Sequence, residues 1–140
     1  MFTMYHIYMM LLAINEALKA AYKGFVPVGA VVVKDNTVLY KSHNHGRFKH
    51  VELDICEFVF NNNIKNYNIY ITLEPCLGCS FFLSKTNINF LFFGSYNTNK
   101  NTLKYPIDNK FMFPLINKNC ERILRNFFFT KRYNINRNCV

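Results

Sequence analysis

The chain has 140 residues, of which 51% are hydrophobic and only 18% are charged. This balance excludes a disordered chain and is typical of a globular protein, so we expect residues 1–140 to form a single domain. The formal net charge of +9 favours a polyanionic partner such as a nucleic acid. The odd number of cysteines, five, predicts a reduced, cytoplasmic protein without a disulfide framework.

The N-terminal segment has the pattern of an amphipathic helix. Apolar residues recur at helical spacing from about Met4 to Lys23, and Gly24 then ends the pattern. The apolar run at the start is too short to span a bilayer and lacks the basic start of a signal peptide. We therefore expect a scaffold helix and no membrane segment.

A strand hairpin is predicted next. An unbroken β-branched run at residues 28–33 indicates a strand that is buried on both faces, and a turn leads into a second strand at residues 37–42. The end of this second strand would deliver His43 and Asn44 towards the site described below.

Strands and helices alternate in the rest of the chain, which predicts an α/β fold with parallel pairing across helical crossovers. We expect the polar stretch 94–109 to be a substrate loop and the tail after Tyr133 to fray. The predicted elements are a helix at 50–60, a strand at 68–73, a helix at 76–85, a strand at 88–93, a short strand at 110–113 and a helix at 115–128.

Two short motifs supply residues that bind metal ions. The first is His-x-Glu at residues 50–52, and the second is Pro-Cys-x-x-Cys at residues 75–79. Cys76 and Cys79 are three residues apart, so one face of a helix can present both thiols. Pro75 suits the first helical position, where the helix dipole also favours the thiolate form. With the imidazole of His50, the thiols make three zinc ligands and leave the fourth tetrahedral position open for water, as in catalytic sites.

Glu52 is not needed as a ligand and is therefore free for general acid–base chemistry. A structural zinc site, or a cysteine pair that is merely buried, is the alternative. Structural sites usually close with a fourth Cys or His at short spacing, and neither motif supplies one. Together the two motifs form the known signature of the zinc-dependent nucleobase deaminases, which favours the catalytic interpretation.

Other residues have a structural and a functional interpretation. His43 and His45 could be further ligands, contacts to RNA or merely exposed groups. Cys56 and Cys120 have the helical spacing of core residues. The phenylalanine pairs in the later helices could stack on bases, but such residues usually pack a core or a dimer face. The C-terminal Lys and Arg residues could contact phosphates or simply solvate a helix.

With these motifs in this order, the chain resembles the tRNA-specific adenosine deaminases of the cytidine deaminase-like superfamily over about residues 4–131. Further matches are the strand entry at 26–31, the His-Asn pair at 43–44, the strand leading into the cysteines at 70–76 and Phe-Gly at 93–94. The resemblance implies a three-layer α/β/α fold whose mixed five-stranded sheet carries helices on both faces. It also implies a cytoplasmic homodimer that converts adenosine to inosine at the wobble position of a tRNA anticodon loop.

By that resemblance, His50, Cys76 and Cys79 bind one Zn²⁺ per chain and Glu52 shuttles protons. Asn44 touches the flipped nucleoside, and the backbone at Val51 helps to hold the base. The full set of residues implied to contact the substrate is Asn44, Val51, Pro75 and Asn97.

The chain departs from the family's usual pattern at several positions. Phe25 stands where a Glu is usual, Val51 replaces an Ala, and Asn97 appears in place of an Asp. The loops after Asn44 and after Gly94 are also shorter than usual. Two alternatives therefore stay open: a deaminase of a free nucleobase or nucleoside of the guanine or cytosine type, and a zinc-stabilised RNA-binding protein that has lost catalysis.

Overall fold

The computed structural model describes residues 3–46, 49–97, 110–112 and 116–138. Most of the predicted substrate loop, residues 98–109, lies outside the described residues. The helices are α1 (Met4–Tyr22), α2 (Val51–Asn61), α3 (Leu77–Ser84) and α4 (Asn117–Asn138), and the strands are β1 (Gly29–Lys34), β2 (Thr37–His43), β3 (Tyr67–Leu73), β4 (Ile88–Ser95) and β5 (Lys110–Met112).

One mixed sheet of five strands forms the middle layer, in the order β2-β1-β3-β4-β5. Strand β1 pairs antiparallel with both β2 and β3, whereas β3, β4 and β5 run parallel. Helix α3 supplies the crossover between β3 and β4, as the alternation of strands and helices predicted. The mixed five-stranded sheet expected from the sequence is therefore confirmed.

Each face of the sheet packs against its own helices. Successive residues of β1 point to opposite faces, so Ala30 and Val32 meet α2 and α3 while Val31 and Val33 meet α1 and the start of α4. The two apolar clusters give the predicted three-layer α/β/α arrangement. They also explain why β1 is a continuous run of β-branched residues, since the strand is buried on both sides.

Several element ends differ from their predicted positions. We placed Pro75 at the first helical position, but the structure puts Cys76 at the N-cap of α3, so Pro75 lies one residue before the cap. The reason is that the Cys76 thiol itself accepts the N–H of Cys79, at 3.5 Å, in the manner of a capping side chain. The last helix, predicted to end at residue 128, continues as α4 to Asn138, and the expected fraying after Tyr133 stays a prediction. Among the described helices, none is long and apolar enough to cross a membrane.

Helix α1 approaches the sheet closely at Gly29, the first residue of β1. A Cβ atom at this position would collide with the backbone of α1, at Ala13 O and Ala17 N. Backbone atoms cannot move aside as a flexible side chain can. The absence of a side chain at Gly29 therefore sets how near α1 lies to the end of the sheet that carries the site.

We expect Gly29→Ala to destabilise the protein by about 3 kcal/mol, because the added methyl group forces α1 away from the sheet. Urea denaturation followed by circular dichroism measures this loss. Gly78→Ala is the matched control, since a Cβ there meets nothing within 4 Å and alanine favours a helix. Equal stability of the two variants would contradict the close packing described here.

Candidate active site

Two helix starts face each other beside the carboxyl end of β3. His50 is the N-cap residue of α2, and Cys76 is the N-cap residue of α3. The donor atoms of His50, Cys76 and Cys79 all lie within 4.8 Å of one another. Nδ1 of the His50 ring is 3.4 Å from the Cys79 sulfur, so this nitrogen is the one that points at the thiols. The structure thus brings the three predicted metal ligands together.

The donor set fits Zn²⁺. Tetrahedral coordination with bonds of about 2.0–2.3 Å places donor atoms about 3.5–4 Å apart, which this cluster reaches with small shifts. The cluster contains no fourth amino-acid donor from the described part of the chain. Burial raises the pKa of the Cys79 thiol, and the nearby Glu52 carboxylate raises it further. A thiol in such surroundings needs a bound cation to become the thiolate, which a divalent metal ion provides.

Glu52 lies in the first turn of α2, buried to 5% exposure, and lines the same cavity as His50 and Cys76. Burial raises the pKa of the Glu52 carboxyl, and the backbone N–H at the helix start and the His50 ring offset only part of that rise. The carboxyl group is outside the three-donor cluster. A buried carboxylate with raised proton affinity beside a metal site is suited to carrying a proton.

The cavity in front of these groups has a volume of about 230 Å³. Asn44 and Asn97, two of the predicted substrate-binding residues, line it together with His50, Glu52 and Cys76. A cavity that opens onto a metal-donor cluster and a buried carboxylate is the expected form of a hydrolytic active site.

The Asn44 amide connects the hairpin to the start of α2. Its Nδ2 donates to the carbonyl of Val26 at 3.1 Å, and its Oδ1 accepts the backbone N–H of Val51 at 2.9 Å. The Val51 side chain is completely buried, and Pro75 is also buried. Neither of these two residues lines the cavity, whereas Asn44 does.

Asn97 is held against the cavity by Glu74, a residue to which the sequence analysis gave no role. The backbone N–H of Asn97 donates to Glu74 Oε1 at 3.2 Å, and its Nδ2 donates to the Glu74 carbonyl at 3.4 Å. Glu74 is 3% exposed and also lines the cavity. Its position directly before the Pro-Cys-x-x-Cys motif was the available signal.

Two further residues of the cavity wall come from distant parts of the chain. Phe25 was noted only as a departure from a family pattern, and Lys131 only as one of several C-terminal cations. Both line the cavity, Phe25 from the segment after α1 and Lys131 from α4. Neither position follows from local sequence, because both depend on how α1 and α4 pack on the sheet.

The histidines beside the site do not enter the metal cluster. His43 is 6% exposed, its Nδ1 lies 2.9 Å from Glu16 Oε2, and it is not one of the three clustered metal donors. His45 is more exposed and bonds to the Ser42 hydroxyl at 3.3 Å.

The two cysteines predicted to be core residues are indeed packed against apolar neighbours. Cys120 is buried at 1% exposure in the α1–α4 cluster, and Cys56 packs against the cluster on the other face. Burial raises the pKa of Cys56 to about 11 and that of Cys120 to about 12. Neither thiol belongs to the cluster of metal donors.

Comparison with known proteins agrees with this geometry. The sequence profile of the cytidine and deoxycytidylate deaminase zinc-binding region matches residues 4–95. The tRNA-specific adenosine deaminase of Aquifex aeolicus is 32% identical over 97 residues, which cover 63% of this chain and 64% of that protein. The protein of the same name from Buchnera aphidicola subsp. Baizongia pistaciae is 32% identical over 148 aligned positions, which cover 89% of each chain.

A solved structure from a study of A-to-I editing by tRNA A34 deaminases has the same fold. Its TM-score is 0.72 at 23% identity, and the match covers 84% of this chain and 99% of that one. With several of the curated relatives, the aligned region spans just under two thirds of their length. The chain belongs to the cytidine and deoxycytidylate deaminase zinc-binding family and, among its members, to the tRNA-specific adenosine deaminases.

Proposed function

We propose that this protein is a zinc-dependent hydrolase that converts adenosine to inosine at the wobble position of a tRNA anticodon loop. The observation that carries the proposal is that Glu52 lines the same cavity as the cluster of three zinc donors. The chain is also related to deaminases of this kind. The net charge of +9 supports a nucleic-acid substrate. We place the enzyme in the cytoplasm, where its free thiols stay reduced.

The reaction adds water to adenosine and releases ammonia, so protons have to be moved within the cavity. When bound by His50, Cys76 and Cys79, Zn²⁺ acts as a Lewis acid that lowers the pKa of water. Glu52 is placed to accept one proton from the water and pass it to a nitrogen of the purine ring, and then to pass the second proton, from the hydroxyl group formed at C6, to the departing ammonia. Its burial supports both transfers, because the raised pKa makes the carboxyl group able to hold each proton in turn.

The substrate base has to leave its stack to reach this cavity. An anticodon loop is single-stranded, so its bases can be turned into a pocket at a modest unstacking cost. We propose that Asn44 and Asn97 border the space for the nucleoside. Val51 and Pro75 would support that wall from behind, as their burial favours.

Zinc binding should depend on Cys79. We expect the purified protein to contain one zinc ion per chain, and Cys79→Ser to lose most of that zinc together with all activity, because only two of the three donors keep their full ligand strength. Inductively coupled plasma mass spectrometry measures the metal content. Cys56→Ala is the matched control and should keep its zinc, because the Cys56 thiol packs against the core. Zinc retained by Cys79→Ser would contradict the assigned ligand set.

The proposed reaction is tested with a tRNA that carries a wobble adenosine, digested to nucleosides after incubation. We expect inosine from the unmodified protein, and a rate about 10²–10⁴-fold lower from Glu52→Gln with its zinc retained, because the amide cannot carry the proton. Glu57→Gln changes an exposed glutamate of the same helix and should leave the rate unchanged.

The same assay separates the alternatives. Faster release of ammonia from free guanine or cytosine than from tRNA would favour a free-nucleobase deaminase. A folded, zinc-loaded protein that is inert on all of these substrates would favour an RNA-binding protein without catalysis.

We further propose a homodimer that forms through α2 and α3, the helices that carry the metal ligands. Large apolar side chains are exposed on both helices, with Phe60 at 84%, Phe81 at 51% and Phe82 at 54% exposure. A group of exposed aromatic residues is typical of a protein interface.

Light scattering after size exclusion should give twice the chain mass of 16.6 kDa. We expect Phe82→Glu to give a monomer, since it places a charge in the proposed interface. Phe129→Glu, at an aromatic residue of α4 that is 70% exposed, should remain dimeric. A mass of 16.6 kDa for the unmodified protein would contradict the dimer.

A further inference from the structure

A buried polar cluster joins α1 to the end of β2, next to the cavity. Glu16 and His43 are 5% and 6% exposed, and Glu16 Oε2 lies 2.9 Å from His43 Nδ1. Lys19 donates to the other carboxylate oxygen, Oε1, at 2.9 Å. Burial raises the pKa of Glu16, but the bonds from His43 and Lys19 together lower it by more, so the group stays ionised. Both oxygens of the Glu16 carboxylate are therefore engaged.

These contacts fix the hydrogen positions of the His43 ring. The ionised carboxylate of Glu16 can only accept, so His43 Nδ1 has to carry the hydrogen. On the other side of the ring, Nε2 lies 3.1 Å from the ammonium nitrogen of Lys23, which can only donate. Nε2 is therefore an acceptor, and the ring is the neutral Nδ1–H tautomer. Glu16 thus makes His43 present a lone pair to Lys23.

The bond to His43 therefore orients the ammonium group of Lys23 but does not neutralise its charge, since the His43 ring is neutral. The charge of Glu16 is balanced by Lys19, and Lys23 has no ion pair with an acidic group in the described ranges. A free lysine side chain loses substantial rotamer entropy when it is ordered. The bond to His43 meets part of that cost before any ligand binds.

Lys23 also stands beside the cavity. The three residues that follow it, Gly24 to Val26, line the cavity, and so does Asn44, which follows His43. A cation contributed by the end of α1 therefore lies close to the rim of the cavity. Lys131 lines the cavity from another helix, α4.

We propose that Lys23 contacts a backbone phosphate of the substrate RNA, and that His43 and Glu16 are positioning residues that orient its ammonium group. This rests on the proposed function, since it takes the anion to be part of an RNA whose base enters the cavity. A nucleotide turned into the cavity leaves its flanking phosphates at the rim, where an exposed, oriented cation can release their counterions.

The first test measures binding of an anticodon stem-loop RNA by fluorescence anisotropy at several salt concentrations, in the Glu52→Gln background so that turnover is slow compared with the measurement. We expect Lys23→Gln to weaken binding about five- to tenfold at low salt. It should also reduce the slope of log K against log salt by about 0.7–0.9, the value for one lost phosphate contact. Lys65→Gln, at an exposed lysine near the opposite end of β3, should change neither quantity. Equal behaviour of the two variants would overturn the proposal.

The second test separates the two hydrogen bonds of His43. Asparagine can place an amide N–H near the position of Nδ1, so His43→Asn keeps the bond to Glu16 but loses the acceptor for Lys23. Glutamine can place an amide oxygen near the position of Nε2, so His43→Gln keeps the acceptor but leaves the buried Glu16 carboxylate short of a partner.

We expect His43→Asn to lower RNA affinity and salt slope as Lys23→Gln does, with little change in Tm. His43→Gln should lower Tm more than it lowers affinity. A purely structural role predicts instead that both variants lower Tm and neither changes the salt slope, and that result would overturn the positioning role.

Turnover of the variants with an intact Glu52 distinguishes this proposal from the proposed function. Lys23→Gln should raise KM for tRNA while kcat stays within about twofold, because the phosphate contact stabilises the bound substrate and the transition state equally. A loss of kcat without a change in KM would overturn the phosphate contact. Absence of inosine from the unmodified chain would refute the proposed function instead, and the salt slopes would still decide whether Lys23 binds RNA phosphate.

Discussion

The site depends on one constraint, which is that two helices begin at the same edge of the sheet. Each start contributes its N-cap residue, His50 or Cys76, to the metal cluster. The starts are held by short polar contacts: Asn44 accepts the N–H of Val51 on one side, and the thiol of Cys76 accepts the N–H of Cys79 on the other. His50 and Cys76 are both N-cap residues and metal donors. The backbone atoms that begin each helix therefore also position a metal ligand.

Helix α1, on the opposite face of the sheet, is connected to the site through a series of contacts. Gly29 lets α1 lie close to β1, and that closeness lets Glu16 of α1 reach His43 at the end of β2. Asn44 follows directly and carries the bond to the start of α2. A scaffold helix with no atom in the metal cluster is thereby connected to the cavity wall by polar groups that are almost completely buried.

Local patterns in the sequence predicted much of this arrangement. The ligands and Glu52 follow from the spacing within two short motifs, and the buried strand β1 follows from its run of β-branched residues. Contacts between distant segments could not be predicted in the same way. Glu16 and His43 are far apart in sequence, and nothing near either residue indicates the other. The sequence did not predict the N-cap position of Cys76, because a thiol is not a usual capping group and proline is favoured at the first helical position.

The groups proposed to carry the chemistry and those proposed to hold the substrate lie in different parts of the structure. The proposed metal ligands and Glu52 lie at helix starts that buried hydrogen bonds hold, where a substitution disturbs the backbone itself. The rim of the cavity is built from side chains of other elements, such as Phe25 after α1 and Lys131 in α4. A side chain at the rim can change without moving the metal ligands. The departures of this chain from its family's usual pattern at Phe25 and in the loops therefore bear on the proposed contacts to RNA, while the proposed deamination chemistry needs only the geometry of the two helix starts.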